Sequence, residues 1–187
     1  MNSQPAIFLD RDGTLMEEVG YCADPAEVRV FPGVPEAMER LRAAGYFLIL
    51  ITNQGGIGRG YFTEDAYRAV QAEFERQILP ARLDAVYFCP DSTPSERRKP
   101  SPGMLQEAAR EYSIDLSRSY MIGDKSSDIA AGQAAGCRTI LVQTGYGREQ
   151  TGVQPNFIAA KFADAADLIR EVQGLRQQPL CEDRRHW

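Results

Sequence analysis

The feature that most constrains this chain is a regular alternation of short apolar runs with longer amphipathic stretches. The apolar runs have the length of strands, and the stretches between them carry apolar residues at helical spacing. This alternation is typical of βα units, which build a parallel sheet covered by helices on both faces. We predict an α/β fold with a doubly wound, Rossmann-like parallel sheet. The predicted strands are Ala6–Leu9, Phe47–Ile51, Ala85–Phe88, Tyr120–Ile122, Thr139–Val142 and Asn156–Ile158; the predicted helices are Val34–Ala44, one that begins at Thr63, Pro102–Tyr112, Ser126–Ala135 and Ala163–Val172.

The connections between these elements leave no room for an inserted domain of ~50 residues or more. We therefore predict a single domain over residues 1–174, without a large cap, followed by a polar tail over residues 175–187. Any lid over a site must then be a loop, and the segments 16–31 and 90–100 are the two candidates.

The charge balance narrows the class of ligand. A net charge of −5 over 187 residues argues against a nucleic-acid partner, because such partners require a basic surface. A small anionic ligand needs only a local cluster of cations, and Arg97-Arg98-Lys99 is the only run of three Lys or Arg residues in the sequence. No apolar stretch approaches the ~20 residues that span a bilayer. We expect a cytoplasmic protein without a membrane partner, and a monomer.

The thiols and the single imidazole offer little chemistry. The four cysteines are scattered without a Cys-x-x-Cys pair, so the sequence predicts neither a disulfide framework nor a zinc site. The only histidine, His186, stands beside Trp187 in the polar tail, where we expect a solvated side chain rather than a catalytic base.

Two aspartates follow the first predicted strand, in the segment Asp10-Arg11-Asp12-Gly13-Thr14. Open α/β folds bind ligands beyond the carboxyl ends of their strands. There Asp10 is suited to attack phosphorus and Asp12 to move protons, while Gly13 permits a tight turn whose amide hydrogens point at an anion. Taken alone, the segment could equally be an ordinary solvated turn, because Asp and Gly are also common in such turns.

Two further segments offer donors and a cation for phosphate. Thr52-Asn53-Gln54 and the glycines after it supply uncharged donors at the end of the second strand, with an ordinary glycine-rich turn as the alternative. Lys99 stands just before a predicted helix and is suited to neutralise both an attacking carboxylate and an incoming phosphate. A solvated basic loop is the alternative for this segment.

An acid after the fourth strand completes a candidate metal site. Asp124, together with Asp10 and the main-chain carbonyl of Asp12, offers the oxygen ligands that Mg²⁺ prefers. Asp128 is expected to cap or orient the following helix and to support the site from behind.

In chain order, these segments resemble the four motifs of the haloacid dehalogenase-like (HAD) superfamily of phosphotransferases: Asp10-x-Asp12-x-Thr14, Thr52, Lys99 and Gly123-Asp124-x-x-x-Asp128. The resemblance extends from about Ala6 to Ile169. Within the superfamily, the segments 8–14, 52–54, 58–60 and 98–104 are similar to the D-glycero-D-manno-heptose 1,7-bisphosphate 7-phosphatases, whose near relatives are the histidinol-phosphate phosphatases. The resemblance implies a central parallel sheet with the nucleophile on its first strand, and magnesium as the cofactor.

The resemblance also implies a role for each matching residue. Asp10 is the expected nucleophile, forming an aspartyl-phosphate, and Asp12 is the acid that protonates the leaving alcohol and then activates water. Thr52 and Lys99 are expected to stabilise the transferring phosphoryl group, and magnesium is expected on Asp10, Asp12 and Asp124. The implied substrate is a small phosphorylated sugar that loses its 7-phosphate. The implied substrate contacts are Glu18, Gly20, Tyr21, Asn53, Gln54, Lys125 and Arg98, the last with a fork of donors suited to a second phosphate.

The sequence departs from that group at one loop. Many members hold the loop before the Arg-Lys pair with zinc, bound by three cysteines and a histidine, whereas residues 89–96 here retain only Cys89. Zinc is therefore not expected. Two alternatives stay open: a phosphatase for histidinol phosphate or another small metabolite, and a receiver-like signalling domain. Receivers also form an aspartyl-phosphate but place the acceptor at the third strand, where residues 85–90 offer none.

Overall fold

Six parallel strands form one sheet in the computed structural model, which describes residues 3–177. The order across the sheet is β3-β2-β1-β4-β5-β6. Each predicted strand is present, with its bounds within two residues of those expected, and the predicted parallel α/β sheet is confirmed. The strands are β1 (Ala6–Leu9), β2 (Phe47–Asn53), β3 (Ala85–Cys89), β4 (Tyr120–Gly123), β5 (Arg138–Val142) and β6 (Phe157–Ala159).

The helices begin where the capping signals indicate. The Thr63 hydroxyl accepts from the Ala66 N–H at 3.2 Å and starts α3, and the Asp128 carboxylate accepts from the Lys125 N–H at 3.0 Å and starts α5. The last helix reaches Gln177, beyond the expected end at Val172 and past the predicted domain end at 174. The helices are α1 (Val34–Ala43), α2 (Gly55–Gly58), α3 (Glu64–Gln77), α4 (Gly103–Tyr112), α5 (Ser126–Ala134) and α6 (Phe162–Gln177).

The short helix α2 stands where the alternative interpretation of the sequence places an ordinary glycine-rich turn. A long-range hydrogen bond holds it, from the Gly58 N–H to the Pro90 carbonyl at 3.0 Å, and Phe62 packs so close to Gly56 that an added Cβ would lie 2.2 Å from its ring. Local propensity could not predict this helix, because glycine is a poor helix former and the stabilising groups lie elsewhere in the chain. Most of the predicted tail, residues 178–187, lies outside the described residues, and His186 lies with it.

Helices cover both faces of the sheet, as a doubly wound fold requires. Side chains alternate along β1, so that Ile7 belongs to one buried cluster and Phe8 to the other. The first cluster is completed by α1, α3 and α6, and the second by α4 and α5. No connection between β1 and β6 carries a second domain, and no helix among residues 3–177 combines the length and apolarity needed to cross a bilayer.

The strand order creates a switch point beside β1. From β1 the chain continues to β2 and β3 on one side, and it then returns to β4 on the other, so that Ile7 pairs with both Leu48 and Tyr120. Ligands in open parallel sheets bind at such a point, beyond the carboxyl ends of the strands. Two irregular segments border this crevice: 16–31, which contains one 3₁₀ turn at Pro25–Glu27, and 90–100, which contains neither helix nor strand.

Candidate active site

Lys99 is the cation at the floor of the crevice. Its Nζ lies 2.6 Å from Asp10 Oδ1 and 2.7 Å from Asp128 Oδ1, and it donates to the Ile51 carbonyl at 2.7 Å. The lysine and both acids are buried. Burial by itself lowers the pKa of Lys99, but the two carboxylates more than offset it and raise that pKa above its ordinary value. Lys99 therefore stays charged and holds the predicted nucleophile in place.

Asp124 completes a cluster of three buried acids. One oxygen each of Asp10, Asp124 and Asp128 lie within 4.8 Å of one another. Oδ2 of Asp124 accepts from the Tyr146 N–H at 2.9 Å, whereas its Oδ1 is buried without a hydrogen-bond partner. Burial, followed by the charges of Asp10 and Asp128, raises the pKa of Asp124 to about 7. A buried oxygen without a partner among like charges fits a cation ligand.

Glycines leave room for these acids. A Cβ on Gly13, whose φ is +83°, would lie 2.3 Å from Asp124 Oδ2, and a Cβ on Gly123 would lie 2.2 Å from Asp128 Oδ2. Gly13 thus serves both the turn after β1 and the close approach of the Asp124 carboxylate.

Asp12 has other partners, although it is only two residues from Asp10. Its Oδ1 and Oδ2 accept from Nη2 of Arg11 at 3.1 and 3.0 Å, and Oδ2 also accepts from Gln54 Nε2 at 3.0 Å. Gln54 further donates to the Thr52 hydroxyl at 2.9 Å. The Asp12 carboxylate is not part of the acid cluster, which contains Asp128 as its third side chain; the metal ligand expected from Asp12 is its main-chain carbonyl.

The loop that carries Lys99 is tied to the end of β2. Asn53 Nδ2 donates to the Lys99 carbonyl at 3.0 Å, and the Lys99 N–H donates to Asn53 Oδ1 at 3.1 Å. Earlier in the loop, the Cys89 thiol lies 3.4 Å from an Asp91 carboxylate oxygen, and Arg98 Nη1 donates to the Asp91 carbonyl at 2.6 Å. Hydrogen bonds to main-chain and side-chain groups therefore position both Lys99 and Arg98.

A cavity of about 380 Å³ opens above these groups. Asp10, Thr52 and Asp124 are buried beneath the lining rather than part of it. The lining includes nine of the predicted site residues: Asp12, Glu18, Gly20, Tyr21, Asn53, Gln54, Arg98, Lys99 and Lys125. It also includes five residues that we did not predict: Gly55, Gly56, Arg59, Ser127 and Tyr146.

The cavity rim carries more cations than anions. Lys125 Nζ pairs with Glu18 at 2.7 Å and lies 4.9 Å from the centre of the Tyr146 ring. Arg59, which the motif around residues 58–60 did not assign a role, lies 6.0 Å from the centre of the Tyr21 ring. Among the described residues, neither Arg59 nor Arg98 forms an ion pair with a carboxylate. The rim therefore suits an anionic ligand.

Comparisons with known proteins agree with this geometry. Residues 96–165 match a family model described as HAD-hydrolase-like. D-glycero-D-manno-heptose-1,7-bisphosphate 7-phosphatase of Thermosynechococcus vestitus is 42% identical, over 89% of this chain and 95% of its own. The D-glycero-beta-D-manno-heptose-1,7-bisphosphate 7-phosphatase of Pasteurella multocida is 40% identical over 88% of this chain and 96% of its own.

A solved structure extends the agreement to three dimensions. The D,D-heptose 1,7-bisphosphate phosphatase of B. bronchiseptica, crystallised with magnesium and phosphate, superposes with a TM-score of 0.84. It is 32% identical, and the match covers 90% of this chain and 99% of that one. The chain therefore belongs to the HAD-like hydrolases, in the family of phosphatases that contains these relatives.

Proposed function

We propose that this phosphatase removes the 7-phosphate of D-glycero-D-manno-heptose 1,7-bisphosphate through an aspartyl-phosphate on Asp10. The observation that carries the proposal is the different surroundings of the two aspartates after β1. Asp10 is buried against Lys99, whereas Asp12 lines the cavity and is held by Arg11 and Gln54. The names of the relatives support the choice of substrate.

The two aspartates divide the chemistry. Asp10 attacks phosphorus as the bond from phosphorus to the 7-oxygen breaks, and Asp12 gives its proton to that oxygen. Asp12 then takes a proton from the water that attacks the aspartyl-phosphate, which frees Asp10 and releases phosphate. The charge of Lys99, 2.6 Å from Asp10, offsets the repulsion between the carboxylate and the phosphoryl group. The Thr52 hydroxyl, at the end of β2, is placed to stabilise the same group.

The acid cluster fits Mg²⁺ as the cofactor. Its donors are hard carboxylate oxygens, and one of them, Asp124 Oδ1, is buried without a hydrogen-bond partner. Asp10 and Asp124, with the main-chain carbonyl of Asp12, would hold the ion, and Asp128 lies within reach. When bound, Mg²⁺ supplies positive charge that screens the nucleophile from the phosphoryl oxygens.

The rim supports a substrate with two phosphates. The Glu18 carboxylate already offsets the charge of Lys125. Arg98 uses one nitrogen to donate to the Asp91 carbonyl, and its guanidinium keeps further donors for an oxyanion. Arg98 and Arg59 are therefore the rim cations available to the second phosphate, which a bisphosphate supplies and a monophosphate lacks.

Steady-state phosphate release tests the proposal. With Mg²⁺ present, we expect the highest kcat/KM for the heptose bisphosphate, measured for both anomers, and a lower value for histidinol phosphate. Asp10→Asn should abolish turnover, whereas Asp65→Asn, a matched change in the first turn of α3, should leave it unchanged. A preference for histidinol phosphate, or full activity of Asp10→Asn, would contradict the proposal.

A further inference from the structure

Among the described residues, Arg11 is the largest side chain that the fold buries completely. It stands between the two aspartates, yet it does not line the cavity. Among the described residues, Asp12 is the only carboxylate that pairs with it. Two further contacts come from α3: Nη1 donates to Gln71 Oε1 at 3.3 Å, and the guanidinium carbon lies 5.5 Å from the centre of the Tyr67 ring.

Burying a guanidinium is costly unless its donors are satisfied. Here Nη2 reaches both Asp12 oxygens, at 3.0 and 3.1 Å, and Nε lies 3.3 Å from Oδ1. This planar fork fixes the carboxylate in direction as well as in position. Gln71 is itself held, since its Nε2 donates to Glu75 at 3.0 Å. A chain of contacts therefore runs from α3 through Arg11 to Asp12.

We propose that Arg11 is a positioning residue for Asp12. Its guanidinium, anchored on α3, holds the Asp12 carboxyl group on the cavity wall in the direction needed for its protonated form to give a proton to the leaving alcohol. The inference rests on the proposed function, in which Asp12 is the general acid. The Arg11 guanidinium does not line the cavity, and among the described residues its hydrogen bonds go to Asp12 and Gln71 rather than to the acid cluster, so its effect on the reaction passes through Asp12.

The leaving group separates this role from a structural one. A sugar alkoxide is a poor leaving group and needs the proton from Asp12, whereas p-nitrophenolate leaves readily without it. A misdirected Asp12 should therefore slow sugar phosphates and spare p-nitrophenyl phosphate. The ratio kcat/KM is the correct measure, because it covers the steps up to release of the leaving group.

The experiment compares wild type with Arg11→Lys, which keeps the buried charge but loses the planar fork. We expect kcat/KM for the heptose bisphosphate to fall about 10- to 100-fold, because general acid catalysis contributes at least that much. For p-nitrophenyl phosphate we expect a fall of less than about threefold. Arg42→Lys is the matched control, since Arg42 makes a similar fork to Asp84 at the opposite end of the sheet and should affect neither substrate.

A second variant guards against failure of the first to fold. Gln71→Met removes the anchor on α3 and leaves the pair of Arg11 with Asp12 in place, so we expect the same selectivity with a smaller loss. If kcat/KM falls equally for both substrates in these variants, or falls in neither variant, the role of Arg11 is overturned while the proposed function stands. A wild type that hydrolyses neither ester would overturn the proposed function, and the inference with it.

Discussion

Replacing Asp124 with asparagine should make the metal-free protein more stable. The ligand oxygens of Asp10, Asp124 and Asp128 lie within 4.8 Å of one another, and Lys99 pairs with the first and third of these acids only. Two unit charges at that distance repel by about 3 kcal/mol at an effective dielectric constant near 20. An asparagine keeps an acceptor for the Tyr146 N–H and removes the charge. We expect the free energy of unfolding to rise by about 2–3 kcal/mol.

Urea denaturation in metal-free buffer at pH 5 and pH 8 measures this gain. Because the pKa of Asp124 is raised to about 7, its contribution to stability is complete below the unfolded value of 3.8 and is lost as the pH rises through about 7. The advantage of Asp124→Asn should therefore be smaller at pH 5 than at pH 8.

Magnesium should reverse the order of stability. Saturating Mg²⁺ stabilises wild type by binding its native state, and the variant should gain little. Asp84→Asn, which breaks the ion pair with Arg42, is the control and should lose stability in every buffer. The reasoning is wrong if Asp124→Asn is no more stable than wild type at pH 8 without metal, or if both gain equally from Mg²⁺.

Three further substitutions or modifications test other parts of the site and the core. Lys99→Met should lower phosphate release at least about a hundredfold, and it should reduce stability in thermal unfolding by about 3–5 kcal/mol because it leaves two buried carboxylates without their cation. Gly13→Ala should weaken Mg²⁺ binding, measured by calorimetry, because the added Cβ would lie 2.3 Å from Asp124 Oδ2. Gly60→Ala is the control: Gly60 has a φ of +71° but no atom within 4 Å of an added Cβ, so this variant should lose stability through backbone strain and keep its Mg²⁺ affinity. Burial raises the pKa of Cys137 to about 12. At pH 8, iodoacetamide should therefore modify this thiol far more slowly in the native protein than in urea, and the native rate should increase as the pH rises. Peptide mass spectrometry measures both rates, and equal rates would contradict the burial of Cys137.

The sheet could be predicted from sequence because its signals are local. Each strand is a short apolar run, and most helices begin at a capping residue or end at a glycine, so that few long-range contacts are needed to find them. The exceptions depend on distant partners. Helix α2 is held by the hydrogen bond from Gly58 to the Pro90 carbonyl, 32 residues away, and no local pattern indicates this contact.

The site residues also divide into those that local sequence could indicate and those whose roles depend on distant partners. Position after a strand indicated the acids, and position before a helix indicated Lys99, but neither could indicate which groups pair. Arg11 has the sequence context of a solvated turn, and only the packing of α3 shows that it is buried against Asp12. Asn53, predicted as a substrate contact, lines the cavity but also bonds the main chain of Lys99, a partner 46 residues away.

The central place of β1 also determines when the protein can become active during its synthesis. The ribosome makes Asp10 near the start of translation. β4 joins β1 in the sheet only after Tyr120 has been made and has paired with Ile7. The capping contact that holds Asp128 exists only once α5 has formed. A nascent chain therefore carries its nucleophile through most of translation without a working site, and it becomes a catalyst only after α5 has left the exit tunnel.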